Sequence, residues 1–300
     1  MLLGKEVLDE DKVSLLIYDI KKKKELKELS NDFVKDKLFK YLQKEHKSAQ
    51  FLIKSFNQKS SSYKQIVKDV RAQLRKVYGL FRADEEIKKK SELIEKLLET
   101  SKGSIKRKKI IEKILATHAS TRERLSIYDE LYKKIFTMTG KPKTILDLGC
   151  GINPFSLHYM KLRKVSYYVY DISEEEINNL NQYFQLLHND NHYFFGEAEV
   201  LDILHWLELK KKLKKAEVCF LFKMTDVLDR NKGHKVTENV IQNIPAKFVV
   251  VSFPTKTMSG KKMNFPRRKW IELMCRRLSY HYRTLVFENE IFYVIEKINK

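Results

Sequence analysis

The sequence predicts an α/β fold in which an N-terminal all-helical domain precedes a Rossmann-like sheet. Three observations support this prediction. Residues 1 to about 118 contain no proline and place apolar residues at helical spacing. From residue 144 onward, short apolar runs alternate with helical stretches, as a doubly wound sheet requires. The first of those runs ends in an acid and a Gly-x-Gly turn.

Apolar periodicity predicts individual helices in the N-terminal region. Phe33, Leu38 and Leu42 repeat at helical spacing in one segment. A second helix is predicted over 63–78, with Gly79 as its stop signal. The region therefore reads as a bundle of amphipathic helices.

A helix leads into the predicted sheet. Ser120 and Glu123 have the spacing of a capping box, so we expect a helix to begin at Ser120 and to stop before Gly140. Further helices are predicted over 174–187 and 235–243. The predicted strands are 144–148, 167–171, 192–196, 217–222 and 247–252, followed by a hairpin over 281–288 and 291–296 that turns near Asn289.

The loop after the first strand has the pattern of a nucleotide cradle. Gly149 and Gly151 allow a tight turn and a close approach of the backbone to a ligand. Asn153 is a good N-cap and Pro154 suits the first position of a helix. The next strand ends in Asp171, an acid placed to accept hydrogen bonds from ribose hydroxyls. An accidental tight turn is the alternative interpretation.

The spacing of this loop discriminates between cofactors. A dinucleotide fingerprint needs a third glycine where this chain has Pro154, and no P-loop is present. The Asp-x-Gly-x-Gly pattern with an acid-ended second strand resembles S-adenosylmethionine (SAM)-dependent methyltransferases, whose ligand carries adenosine without phosphate. Because ligands of open α/β sheets bind beyond the carboxyl ends of the strands, one crevice is expected there. The residues expected around it are Gly149, Asp171, Glu197 or Glu199, Lys223 and Ser252-Phe253-Pro254.

The formal net charge of +21 favours a polyanionic partner, either nucleic acid or an acidic membrane surface. The alternative explanation is a source genome whose proteins are generally rich in lysine. The predicted helix over 63–78 carries a basic stripe opposite its apolar face, and 102–113 holds six basic residues and one acid. Each run is either a phosphate-binding surface or a solvated helix face. The residues of the stripe are Lys64, Lys68, Arg71, Arg75 and Lys76.

The remaining composition favours a cytoplasmic protein. The N-terminus turns acidic within ten residues, unlike a signal peptide, and no apolar run approaches the length of a membrane span. Three scattered cysteines form neither a disulfide framework nor a zinc pattern. His188 and His192 are interpreted as loop histidines rather than metal ligands, so no metal is expected.

Several separated segments carry a more specific resemblance. They are Lys64-Gln-x-Val-x-x-x-Arg71-x-x-Leu74, His118-Ala-Ser-Thr-Arg-Glu-Arg-Leu125, Leu146-Asp-x-x-Cys-Gly-x-Asn-Pro154, Phe220-Leu-Phe-Lys223 with Leu228, and Val250-Val-Ser-Phe-Pro-Thr. Met263 and Trp270 are spaced as in the family's C-terminal helix. With these motifs, the chain resembles the ribosomal RNA methyltransferases that confer aminoglycoside resistance by methylating guanine N7 in the decoding site of the small subunit.

The resemblance implies roles for particular residues. Asp147, Gly149 and Gly151 would shape the methionine end of the SAM site, Asp171 would hold the ribose, and Glu199 would lie near the adenine. It also implies that 1–118 form an RNA-docking domain and 119–300 the catalytic domain. The implied partner is the small ribosomal subunit with its 16S-type rRNA, and the chain is expected to act as a monomer. The chain departs from the family in lacking a glycine-rich segment before Met263.

Other candidates carry an alternative each. Phe253 is a candidate wall for the extruded base, or a core aromatic at a strand end. Arg122, which we favour over Arg124, would reach the SAM carboxylate or the RNA, or else is a surface residue of the first helical turn. Arg267 and Arg268, next to Lys269, would bind RNA phosphate, or else form a solvated turn.

Methylation of guanine N7 agrees with the motifs that the sequence lacks. N7 carries a free lone pair, so the transfer needs positioning of the reactants rather than a general base. No Asn-Pro-Pro-aromatic motif for exocyclic amines is present, and no cysteine is placed for attack on cytosine C5. Three alternatives remain: methylation of another rRNA or tRNA site, a non-catalytic ribosome-binding protein, and a small-molecule methyltransferase.

Overall fold

The computed structural model describes residues 2–3, 6–77, 84–203, 211–229, 233–257, 261–264 and 266–297. The chain divides into two compact units. The first comprises Met1–Lys88 together with Ile172–Glu175, and the second comprises Lys89–Asp171 and Glu176–Lys300. The two compact units therefore divide after Lys88, earlier in the chain than the predicted boundary between the docking and catalytic domains at residues 118 and 119. That functional boundary stays a prediction.

The first unit is built mainly from helices, with a 3-10 turn at Lys24–Leu26. The expectation of an all-helical region was wrong in one detail, because two short antiparallel strands, β1 and β2, precede the first helix. Their bounds are β1 Leu2–Leu3 and β2 Glu6–Val7, and the helices are α1 Glu10–Lys21, α2 Asn31–Lys44, α3 His46–Lys54 and α4 Ser61–Val77.

Local capping and apolar spacing explain the helices of this unit. The side chain of Asp9 caps α1 and that of Ser30 caps α2, each accepting a backbone N–H of the first turn. Helix α4 confirms the predicted helix over 63–78 to within two residues at its start, while the predicted stop at Gly79 lies outside the described residues. The apolar faces meet in one core, which includes Leu16, Ile20, Val34, Leu38, Ile66, Val70 and Leu74.

The second unit contains a seven-stranded sheet of order β5-β4-β3-β6-β7-β9-β8. The first five strands of that order run parallel, and β9 and β8 add an antiparallel hairpin. This confirms the predicted doubly wound sheet. The strands are β3 Thr144–Leu148, β4 Val165–Asp171, β5 Phe194–Val200, β6 Ala216–Phe222, β7 Ala246–Pro254, β8 His281–Val286 and β9 Glu290–Glu296.

Helices cover both faces of this sheet, and each face has its own buried cluster. The central strands read as continuous apolar runs because they are buried on both sides. A 3-10 helix at Asn153–Ser156 follows β3. The helices are α5 Asp84–Leu98, α6 Ile105–Leu115, α7 Ala119–Arg124, α8 Tyr128–Thr139, α9 Leu157–Met160, α10 Glu174–Asp190, α11 Thr225–Leu228, α12 Lys235–Asn243 and α13 Lys269–Arg277.

The predicted helix from Ser120 to Gly140 is two helices, α7 and α8. The capping box was wrong: His118 is the N-cap of α7 and makes no side-chain capping bond. The side chain of Glu123 instead accepts a hydrogen bond from Lys223. A partner distant in the sequence has therefore overridden a local signal.

Two further boundaries differ from the sequence-based prediction. Strand β5 begins at Phe194 rather than 192, because Asn191 closes a turn by accepting the Phe194 N–H at 2.9 Å. Helix α10 continues to Asp190, so His188 lies in a helix rather than in a loop. Met263 precedes helix α13, which does contain Trp270, so the two residues do not share a helix.

Candidate cofactor site

The loop after β3 turns back over the carboxyl end of β4. Gly149 and Gly151 have φ of +67° and +49°, a region that side chains rarely adopt. The Gly149 N–H donates to the Tyr170 carbonyl and the Gly151 N–H to the Asp171 carboxylate, each at 2.8 Å. A Cβ on Gly149 would lie 2.3 Å from the Met224 sulfur. The loop therefore requires glycine at this position and presents backbone at the sheet edge.

Asp147 supports this loop from below. Its carboxylate accepts hydrogen bonds from Asn153 Nδ2 at 2.9 Å and from the Tyr167 hydroxyl at 2.8 Å. Burial raises the pKa of Asp147 to about 7, although both hydrogen bonds favour the charged form. The prediction of Asn153 as an N-cap was wrong, because Ile152 occupies that position and the Asn153 amide is held by Asp147.

Two acids lie where neighbouring strands end. Asp171 is the last residue of β4. Glu199 is the last but one residue of β5 and pairs with Tyr170, the neighbour of Asp171 on β4. Burial and a hydrogen bond with Glu197 raise the pKa of the Glu199 carboxyl. The structure thus brings together Gly149, Gly151, Asp171 and Glu199 at one edge of the sheet, as expected.

Lys223 lies at the carboxyl end of β6 with φ of +54°. Its backbone N–H donates to Ser252 Oγ at 3.0 Å. Its ammonium is 2.6 Å from the Glu123 carboxylate and 3.7 Å from that of Glu290. Lys223 therefore lies at the predicted edge, held by two acids.

Arg124 and Glu290 form a buried ion pair that the sequence did not indicate. Two parallel hydrogen bonds of 2.8 Å join Arg124 Nε and Nη2 to the two Glu290 oxygens, and the residues are 2% and 1% exposed. Burial disfavours the arginine charge, but Glu290 more than offsets it and raises the pKa of Arg124. Arg122, favoured from the sequence, is exposed and donates to the Ala116 carbonyl at 3.1 Å. Its predicted ligand contact stays a prediction.

A second buried charge cluster lies beside the glycine loop. The Glu176 carboxylate is 2.6 Å from Lys90 Nζ and 3.2 Å from His118 Nε2. A Cβ on Gly151 would lie 3.7 Å from the His118 ring. The only sequence signal for this cluster was His118, the first residue of the HASTRERL segment.

Phe253 lies in the core rather than on an open wall. It is 1% exposed and meets the rings of Trp270 and Tyr293 edge to face. The Arg268 guanidinium lies 5.3 Å from its ring centroid. This geometry fits the alternative interpretation, a core aromatic at a strand end, and gives no support to stacking on a base.

The predicted phosphate-binding residues differ in their surroundings. Lys64 and Lys68 are exposed on α4, whereas Arg71 donates to the carbonyls of Asp19 and Ile20 inside the same unit. Arg75 pairs with Glu25 at 2.6 Å. Exposed lysines of this kind are accessible to a polyanion, while the two arginines stabilise their own unit.

Arg267 and Arg268 lie just before α13. Arg267 is exposed and pairs with Glu272 at 2.8 Å. Arg268 is half-buried and donates to the Pro254 carbonyl at 3.2 Å. Their predicted phosphate contacts stay predictions.

The residues at this edge fit an adenosyl ligand without phosphate. Carboxylates accept hydrogen bonds from hydroxyl and amine groups, and they repel phosphate. Asp171 and Glu199 are such acceptors, and the backbone at Gly151, where an added Cβ would have its nearest neighbouring atom at 3.7 Å, leaves room for a close approach. Within the described residues, no cluster of three or more potential metal ligands is found.

We expect Glu290→Gln to destabilise the fold by about 3–5 kcal/mol, because it leaves the Arg124 charge buried and uncompensated. Glu288→Gln is the matched control on the same hairpin, since Glu288 is 72% exposed and pairs with Lys256 at the surface. Its cost should stay within about 0.5 kcal/mol. Urea unfolding measures both, and equal effects would contradict the importance of the buried pair.

We expect Asp147→Asn to stabilise the protein more at pH 8 than at pH 5. The folded carboxyl has a pKa of about 7 and the ordinary value is 3.8, so stability is lost as pH rises between those values. The amide oxygen can still accept from Asn153 and Tyr167, and the gain should be larger by about 2 kcal/mol at pH 8. Urea unfolding at both pH values measures it, with exposed Asp226→Asn as the control. A gain independent of pH would contradict the elevated pKa.

Among the described residues, no helix is long and apolar enough to cross a membrane.

The chain matches the family described as ribosomal RNA methyltransferase (FmrO) over residues 49–292. A 16S rRNA (guanine(1405)-N(7))-methyltransferase of Proteus mirabilis is 27% identical over 248 residues, covering 78% of this chain and 85% of that protein. One from Micromonospora rosea is 30% identical over 183 residues, covering 59% of this chain and 62% of that protein.

Solved structures agree with the fold. The 16S rRNA methyltransferase RmtF, in complex with S-adenosyl-L-homocysteine, superposes with a TM-score of 0.73 at 22% identity, covering 97% of this chain and all of that one. The 16S rRNA methylase ArmA gives a TM-score of 0.53 at 25% identity, covering 70% of this chain and 98% of that one. The resemblance noted from the sequence is confirmed. The chain belongs to the ribosomal RNA methyltransferase (FmrO) family.

Proposed function

We propose that this protein transfers a methyl group from SAM to the N7 atom of a guanine in the decoding site of 16S-type rRNA. The observation that carries the proposal is the edge formed by Gly149, Gly151, Asp171 and Glu199, in a chain of the ribosomal RNA methyltransferase family. The relatives named above act on guanine 1405, so the equivalent guanine is the proposed target.

Bound SAM would supply an electrophilic methyl group on a sulfonium. The residues of this chain hold and orient the reactants. Asp171 would accept from the ribose hydroxyls, Glu199 would lie beside the adenine, and the loop over Asp147 would bound the methionine end. Guanine N7 has a free in-plane lone pair, so no side chain has to remove a proton, and in-line positioning lowers the barrier.

Arg124, Glu290 and Lys223 act as positioning residues in this proposal. The buried pair fixes α7 against the start of β9, and Lys223 links the same Glu290 to Glu123 of α7. The contacts hold the carboxyl end of β6 and the start of β9 in one arrangement around the reacting atoms.

The helical region 1–118 is proposed as the RNA-docking domain and 119–300 as the catalytic domain. Lys64 and Lys68 support this division, because both are exposed on one side of α4 while its apolar side is buried. Phosphate contacts from exposed lysines give affinity without sequence specificity. The target guanine would then be selected by the catalytic domain.

The test of the activity is methyl transfer from labelled SAM to purified small ribosomal subunits, followed by mapping of the labelled nucleotide. We expect label at N7 of the guanine equivalent to position 1405. Label on another rRNA or tRNA nucleotide would replace the target but keep the chemistry. SAM binding without transfer to any RNA would contradict the enzymatic proposal.

A host expressing the active protein is expected to resist aminoglycosides that bind the decoding site.

The proposal also assigns a location and a state of association. An enzyme that modifies small subunits is expected in the cytoplasm and as a monomer. Light scattering of the purified chain measures its mass, and a mass twice that of the 35.8 kDa chain would contradict the monomer.

Asp171→Ala should weaken SAM binding by about 1.5–3 kcal/mol, because it removes a charged acceptor for the ribose. This corresponds to a loss of affinity of roughly 10- to 150-fold, measured by calorimetric titration. Asp129→Ala removes an exposed acid of the same unit and serves as the control. Unchanged SAM affinity of Asp171→Ala in a folded protein would remove Asp171 from the site.

Lys64→Glu with Lys68→Glu should weaken binding to small subunits while leaving SAM affinity unchanged. The slope of log affinity against log salt should fall by roughly 1–2, since up to two phosphate contacts are lost. Lys44→Glu with Lys47→Glu makes the same charge change at exposed positions of the same unit. Arg71 is unsuitable for this test, because its bonds to Asp19 and Ile20 stabilise the unit itself. Identical behaviour of the two double variants would contradict docking through α4.

A further inference from the structure

A cavity of about 390 Å³ lies in the second unit, away from the glycine loop. It is lined by Val165 and Phe194, the first residues of β4 and β5, whereas the candidate cofactor site lies at the carboxyl ends of the same strands. Seven residues of a strand separate the two edges by roughly 20 Å. The cavity is therefore a distinct site, and its volume is within the range of ligand pockets, about 300–1,000 Å³.

The cavity combines an apolar floor with a cationic rim. The floor is formed by Ile111, Leu157, Leu162, Val165, Tyr183, Leu187 and Phe194, and the basic residues around it are Lys102, Arg107, Lys108, Lys161 and Arg163. Such a surface suits a ligand that has one flat apolar part and one anionic part.

The cations of the rim fall into two groups. Arg107 pairs with Asp190, Lys161 pairs with Asp129 at 2.7 Å, and Lys102 donates to the Asp190 backbone carbonyl. Lys108 and Arg163 are both exposed, and neither has a carboxylate partner among the residues that the structure describes. Two exposed cations outside any salt bridge of the described residues attract an anion to one mouth, and the excess charge of +21 makes a polyanion the fitting partner.

His158 adds an unsatisfied polar group inside the cavity. Within the described part of the chain, its Nδ1 and Nε2 atoms are buried and make no hydrogen bond of good geometry, although the Phe155 backbone lies near enough to favour the protonated ring. Burial lowers the pKa of His158, so the ring is neutral at pH 7 and offers one donor and one acceptor. A rotation of the side chain that turns a ring nitrogen into the cavity would let a ligand that carries both kinds of group, such as the edge of a nucleobase, satisfy it.

We infer that this cavity binds one unstacked nucleotide of the rRNA, as an anchor separate from the target guanine. The base lies on the apolar floor with its polar edge at His158, and the phosphate lies between Lys108 and Arg163. RNA-binding proteins commonly recognise single-stranded nucleotides by such contacts to a splayed base. The inference rests on the proposed function, because it requires an rRNA substrate.

The first test compares two double variants in binding to small subunits. Lys108→Glu with Arg163→Glu should weaken binding at least tenfold and lower the salt slope by roughly 1–2, at unchanged SAM affinity. Lys141→Glu with Lys215→Glu makes the same charge change at exposed positions just before β3 and β6, on the same edge of the sheet, and should have a smaller effect. Equal losses in the two double variants would overturn the inference.

The second test identifies the occupant. A benzophenone amino acid in place of Leu162, at the apolar floor, is irradiated on the small subunit. We expect a crosslink to one rRNA nucleotide other than the methylated guanine, lost in the Lys108→Glu, Arg163→Glu background. A crosslink to a ribosomal protein, or none, would overturn the inference. Methyl transfer by the wild-type chain is scored separately, so failure of the anchor and failure of the activity give different results.

Discussion

The catalytic edge of the sheet depends on the buried pair of Arg124 and Glu290. Removing two charges from water costs several kcal/mol per ion, and only close, complete hydrogen bonding offsets that cost. Both carboxylate oxygens are used at 2.8 Å, and the guanidinium also lies 4.8 Å from the Phe222 ring centroid. The pair joins residues that are 166 positions apart, so it holds α7 against the start of β9. Lys223 shares Glu290 and is fixed with them.

Asp147 shows the same principle at smaller scale. Its burial raises its pKa to about 7, which is unfavourable for stability at neutral pH. In return, its carboxylate fixes Asn153 and Tyr167, and Asn153 in turn accepts from the Tyr128 hydroxyl at 3.1 Å. The glycine loop lies directly above these contacts. Its positive φ angles are therefore held by a buried polar network, which favours a preformed ligand site.

The sequence predicted what is local or periodic. The strands follow from apolar runs, and the glycine turn follows from a residue type that adopts positive φ angles readily. Their positions therefore agree with the structure. Partners distant in the sequence could not be predicted, because no spacing marks Arg124 and Glu290 or Lys90 and Glu176 as pairs. The same limit explains the errors. Asn153 and Glu123 carry capping signals, but the Asn153 side chain donates to the buried Asp147 carboxylate and the Glu123 side chain accepts from Lys223.

In the second unit, two acids and two exposed cations lie at opposite ends of the strands. Asp171 and Glu199 lie at the carboxyl ends, whereas Lys108 and Arg163 lie near the amino ends. Carboxylates in the ligand crevice disfavour phosphate there, so an RNA backbone is excluded from the place that an adenosyl ligand needs. Cations near the amino ends of the strands, roughly 20 Å from the carboxyl ends, attract that backbone instead. In the proposed arrangement, this separation lets one chain bind a phosphate-free ligand and a polyanion together, each where the local charge favours it.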